Sequence, residues 1–142
     1  MSTETEKGLV IDANILIRAV FGRRVRRILE TSDKAVFCCP EFCIEEARKR
    51  IPVIAERQSR DRHLSLLALD KVSLLITPVQ EDFYQSLYAD ANARIASRDP
   101  DDWPIVATAL FLNLAIWTED LDFFGCGLPT WTTDRVEIYL RD

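Results

Sequence analysis

The 142-residue chain has one histidine, no Cys-x-x-Cys pair, no excess of basic residues and no apolar run approaching the roughly 18 residues of a membrane helix. Each absence excludes something. His63 lies in the charged stretch 56–63, far in sequence from the cysteines, which weakens Ser-His and Cys-His hydrolase readings, because these need the imidazole beside the nucleophile. Without a Cys pair at metal-ligand spacing, Cys38, Cys39, Cys43 and Cys126 read as free buried thiols rather than a zinc site. Eighteen basic against 23 acidic residues give a net charge of −5, so an overall basic field is not what would hold a nucleic acid. The polar opening, residues 1–7, has no apolar h-region; it reads as a flexible lead-in, with no secretory signal, to a single cytoplasmic domain over 8–142. No repeat, low-complexity tract or linker divides that domain.

What is present is an alternation of strand and helix signals. Short, branched apolar runs at 8–11, 35–39, 72–76 and 115–118 read as buried strands, with a further short strand near 130–131. Between them, helices are expected at 14–21, 23–31, 41–50, 52–70 (Leu64, Leu67 and Ala68 inward), 81–97 and from Asp102 to Leu112, with a last one from Thr133. Residues 102–112 are apolar on nearly every side, so this helix should be central. Strands that are continuously apolar are buried on both faces. The expected fold is therefore a three-layer α/β/α sandwich around a parallel sheet.

In open parallel sheets, sites form beyond the carboxyl ends of the strands. Strand one ends in Asp12. Strand two is followed by Glu45 and Glu46. The fourth ends in Thr118, then Glu119, Asp120 and Asp122, and the central helix begins at Asp101-Asp102. Four segments deliver acids to one sheet edge with no matching set of lysines or arginines. Such crowding of like charge is retained where a cation neutralises it. Oxygen-only ligands suit Mg²⁺ or Mn²⁺, and ions of that kind activate water for attack on a phosphodiester.

Each acid taken singly has a structural explanation. Asp101 or Asp102 can cap the helix, and Glu45 and Glu46 can pair with Lys49 and Arg50. Asp120 and Asp122 can form the turn before Gly125. Asp12, ending a buried strand, is the hardest to explain that way.

Leu-Val-Ile-Asp-Ala-Asn-Ile-Leu at residues 9–16 resembles the opening of the PIN-domain family: hydrophobic strand, Asp, any residue, Asn. Cys-Pro-Glu-Phe-Cys-Ile-Glu at 39–45, Asp102 with the alanine-rich helix after it, and Trp-Thr-Glu-Asp-Leu-Asp-Phe at 117–123 resemble the family's later motifs, in order, over residues 8–140. Cys39 stands where Ser or Thr is common, and Glu46 directly follows Glu45. The resemblance implies a PIN-like fold and a metal-dependent endoribonuclease. It implies Asp12, Glu45, Asp102 and Asp120 as catalytic, metal-binding acids, Asp122 assisting, and Asn14 and Thr118 supporting them by hydrogen bonds. It also implies Mg²⁺ or Mn²⁺ as cofactor and RNA as substrate. Because many relatives are toxins of toxin–antitoxin pairs, an antitoxin partner and a homodimer are expected by analogy.

Two further features stand beside these motifs. Arg23, Arg24, Arg26 and Arg27 form a basic patch, either an RNA grip or a solvated helix face. Trp103 follows a site acid and reads as packing or as a base platform. Two competing functions keep the same acids. An aspartyl-phosphate protein wants Asp-x-Asp or a late lysine, and position 14 is Asn. A non-catalytic interaction module would bind metal without turnover.

Overall fold

The computed structural model describes residues 7–141. Strands β1 (Lys7–Ile11), β2 (Ala35–Pro40), β3 (Thr77–Val79), β4 (Ala115–Trp117) and β5 (Thr130–Trp131) form one parallel sheet in the order β3-β2-β1-β4-β5. Register is set by the central strand: Val10 stands beside Cys38 on one side and Ile116 on the other. Leu9, Val10, Ile11, Ile116 and Trp117 are fully buried, as a strand covered on both faces requires.

Helices α1 (Ala13–Phe21), α2 (Arg24–Thr31), α3 (Glu41–Arg57) and α4 (Arg62–Ser73) pack with one another. A second group, α5 (Glu81–Tyr84), α6 (Tyr88–Ile95) and α7 (Trp103–Leu112), is built round α7, which lies against β1, β2 and β4. Helix α8 (Thr133–Arg141) closes the β5 edge and meets α2 through the Arg24–Asp134 and Arg24–Glu137 ion pairs. The three-layer α/β/α sandwich and the central α7, with residues 104–109 all buried, are as expected from the sequence.

Several elements differ from that expectation. Pro52 does not start a new helix. It lies inside α3, whose inward stripe Cys43, Ala47, Ile51 and Ala55 runs unbroken past it, so packing of that stripe outweighs the hydrogen bond that proline cannot make. The chain breaks instead at Ser59, with φ of 56°, and Asp61 caps α4 by accepting from the Leu64 N–H at 2.8 Å. In α4 the inward residues are Ser65, Leu69 and Val72; Leu64 and Leu67, expected inside, are 64% and 45% exposed. Val72 ends this helix rather than opening a strand, because Leu69, Val72 and Ile76 satisfy a helical period. Strand β3 lies just beyond, at the sheet edge, where Pro78 forfeits no interior ladder bond. The single helix expected at 81–97 is α5, a 3₁₀ turn at Gln85–Leu87 and α6; the edges of Tyr84 and Tyr88 both meet the Trp103 ring, at 5.6 and 4.8 Å. The lead-in expected at 1–7 lies outside the described residues except for Lys7, which belongs to β1.

Candidate active site

Strand order reverses between β1 and β4: the chain leaves β1 toward β2 and β3, then returns to the other side of β1 for β4. The crevice at such a reversal, beyond the carboxyl ends of the strands, is where open parallel sheets bind ligands. Asp12 follows β1 and Thr118 follows β4 at this point.

Asp12 is 7% exposed and both of its oxygens are held. Oδ1 accepts from the Ile15 N–H at 3.0 Å, which makes Asp12 the N-cap of α1, and Oδ2 accepts from the Thr118 hydroxyl at 2.5 Å. Thr118, fully buried, also accepts from the Asp120 N–H at 3.0 Å, so one hydroxyl ties the two acidic segments together. Asp120 in turn accepts from the Asp122 N–H at 2.9 Å and caps the 3₁₀ turn Leu121–Phe123. The turn-forming explanation of Asp120 is therefore true of one of its oxygens, Oδ1.

Burial raises the Asp12 carboxyl above its ordinary range, Asp120 adds to the rise, and the hydrogen bonds from Thr118 and the Ile15 and Asn14 backbone oppose it. Asp102 is pushed up to about 7, by burial first and then by Asp99, Asp120, Asp12 and Asp122. Asp99, Asp120, Asp12 and Asp122 thus lie within electrostatic reach of Asp102. Asp102 precedes α7 without capping it by its side chain; Pro104 removes one of the two N–H groups a capping Asp would use. Its Oδ2 is buried with no hydrogen-bond partner. The turn before α7 is capped by Asp99, which accepts from the Asp101 N–H at 3.0 Å, and Asp101 is exposed.

Other expected residues lie differently. Glu45 and Glu46 are both exposed and neither pairs with Lys49 or Arg50 among the described residues. Helical phase separates them: Glu46 stands one turn along from the buried Cys43, whereas Glu45 points about 160° away from it. Burial first, then Cys39, Asp12 and Glu46, raise the Cys43 thiol, while Glu45 lines a groove with Ile44, Val79 and Phe83. Asn14 turns its amide outward, where Oδ1 accepts from Arg50 Nη1 at 2.9 Å; only its backbone acts on Asp12. Glu119 is engaged elsewhere, accepting from the Thr133 N–H at the start of α8 at 2.6 Å. The motif in the sequence leaves Glu45 and Glu46 as adjacent alternatives, and Asp99 is the acid near Asp102 that it does not include. The phase of Cys43 and Ala47 along α3 was the signal for Glu46.

Among the described residues, no three carboxylates, thiols or imidazoles stand as a ready-made cage around one ion. The donor chemistry nevertheless fits a hard divalent cation. The donors are oxygens, Asp102 Oδ2 is buried without a partner, and no ion pair engages any of Asp12, Asp102, Asp120 or Asp122 among the described residues. Burial first of all pushes the neighbouring Cys39 thiol up to about 12 and the Cys43 thiol well above its usual value. No described helix is long and apolar enough to cross a membrane.

No curated protein matches the chain. Among solved structures, PAE2754 from Pyrobaculum aerophilum superposes with a TM-score of 0.72 at 14% identity, over 96% of this chain and 90% of that one, which is likeness of fold. The family profile described as PIN domain matches residues 10–141, from Val10 within β1 to the end of α8. The chain therefore belongs to the PIN-domain family, whose members are generally nucleases.

Proposed function

We propose that the protein is a Mg²⁺- or Mn²⁺-dependent endoribonuclease, with Asp12, Asp102, Asp120 and Glu46 holding the ion and Asp122 assisting. Glu46 replaces Glu45 in this set because of its phase on α3. The observation that carries the reading is the buried, partnerless Oδ2 of Asp102 in the combined field of Asp99, Asp120, Asp12 and Asp122, none of which makes an ion pair among the described residues.

The chain's own residues prepare this place. Thr118 fixes the direction of Asp12 Oδ2 and, through the Asp120 N–H, the distance between the two segments. The Ile15 N–H and the N-terminal end of α1 favour the ionised form of Asp12 against its burial. Asp102 supplies an oxygen with no competing hydrogen bond and sheds its proton near neutral pH. A bound divalent ion supplies acidified water and stabilises charge on the phosphoryl oxygens.

Asp12→Asn keeps the side chain's shape and removes its charge. Cleavage of a labelled single-stranded RNA in Mn²⁺ should fall about 10²–10³-fold, the usual loss when one electrostatic group aimed at the reacting centre is removed. A clean preparation of that variant cutting as fast as wild type refutes the assignment.

A further inference from the structure

We propose that Arg50 receives a phosphate of the RNA strand at the rim of the acid site and that Asn14 is the positioning residue that holds it there, an inference that rests on the nuclease reading. A phosphodiester approaching several carboxylates on a chain of net charge −5 needs a local cation. The structure commits four of the arginines elsewhere. Arg24 is committed to Asp134 and Glu137, Arg48 to Asp70 and Arg94 to Asp90. Arg26 is turned back onto the Gly22 carbonyl. The basic patch at 23–27 is therefore partly spent on structure.

Arg50 differs. It is exposed, makes no ion pair among the described residues, and donates from Nη1 to Asn14 Oδ1 at 2.9 Å. A neutral amide fixes the direction of a guanidinium without cancelling its charge, and it leaves Nε and Nη2 free to meet phosphate oxygens as a fork. The position suits that task. Asn14 lies in the first turn of α1, two residues from Asp12, and Arg50 lies one turn after Glu46 on α3. The Asp-x-Asn opening thus supplies two opposite charges to one place: a carboxylate directly, and a cation through the amide.

The test uses a fluorescein-labelled 12-nucleotide single-stranded RNA. Binding is followed by anisotropy in Ca²⁺ across a series of salt concentrations, and cleavage kinetics in Mn²⁺. Arg50→Ala should weaken binding about tenfold and reduce the slope of log affinity against log salt by about 0.7, the value for one phosphate contact on a single strand. In Mn²⁺ it should raise KM with kcat within about twofold, the signature of lost uniform binding. Arg50→Lys should keep the slope while recovering part of the affinity, and Asn14→Ala should weaken binding about threefold with the slope unchanged. All three should keep the Mn²⁺-induced rise in Tm. Arg50→Ala with wild-type affinity and slope overturns the proposal. So does loss of the Mn²⁺ shift in Asn14→Ala, which would return Asn14 to the acids. Wild type that binds RNA through Arg50 without cutting it overturns the nuclease reading alone; wild type that neither binds nor cuts overturns both.

Discussion

Asp102 carries its strain in a form that pH can read. Its carboxyl, ordinarily near 3.8, titrates at about 7 in the fold because burial and four neighbouring acids oppose its charge. Between pH 4 and 7 the folded state therefore holds a proton that the unfolded chain has released. Stability of the metal-free protein must fall as pH rises through that window and level off above it. Asp12 is raised in the same direction, so Asp102→Asn should reduce the slope without abolishing it. Above pH 7 the variant should melt higher than wild type in EDTA, each kcal/mol of relieved repulsion reading as roughly 2–5 °C. Differential scanning fluorimetry at pH 5 and 8 measures both effects. A variant that melts no higher at pH 8 would show that Asp102 is not strained.

At the scale of elements, α3 carries the clearest conflict between local preference and packing. Pro52 sits in mid-helix, where proline is disfavoured by about 3 kcal/mol relative to alanine, partly offset by the freedom it removes from the unfolded chain. The stripe Cys43, Ala47, Ile51 and Ala55 holds the helix straight through it in sequence. Pro52→Ala should stabilise the protein by about 1–2 kcal/mol in urea unfolding, with an unchanged m-value. No gain would mean that Pro52 fulfils a packing role of its own.

For the whole molecule, metal binding and folding should be linked. An ion that binds the folded chain and not the unfolded one stabilises by mass action, about 2.7 kcal/mol at a hundredfold excess over its Kd. Because Asp102 must lose its proton to become a ligand, Mn²⁺ should raise Tm more at pH 8 than at pH 6. Asp102→Asn should remove most of that difference. Equal shifts at the two pH values would place the ion away from Asp102.

The sequence by itself determined the layered fold, because continuous apolar strands and an all-round apolar helix leave no other way to exclude water. It also identified Asp12 and Thr118 as acid and hydrogen-bonding group at strand ends, and Asp102 as an acid at the head of the buried helix, since a motif read along one segment needs no partner to be seen. Strand order was a tertiary decision: that β4 lies beside β1, bringing Thr118 to Asp12, is fixed by packing across more than a hundred residues. So was the rotation of α3 against the core, which turns Glu45 and Glu46 in different directions although they are adjacent in sequence. The partner of Asn14 was decided there too, because a side-chain amide bonds whatever the fold sets before it, and here the fold sets Arg50 of α3.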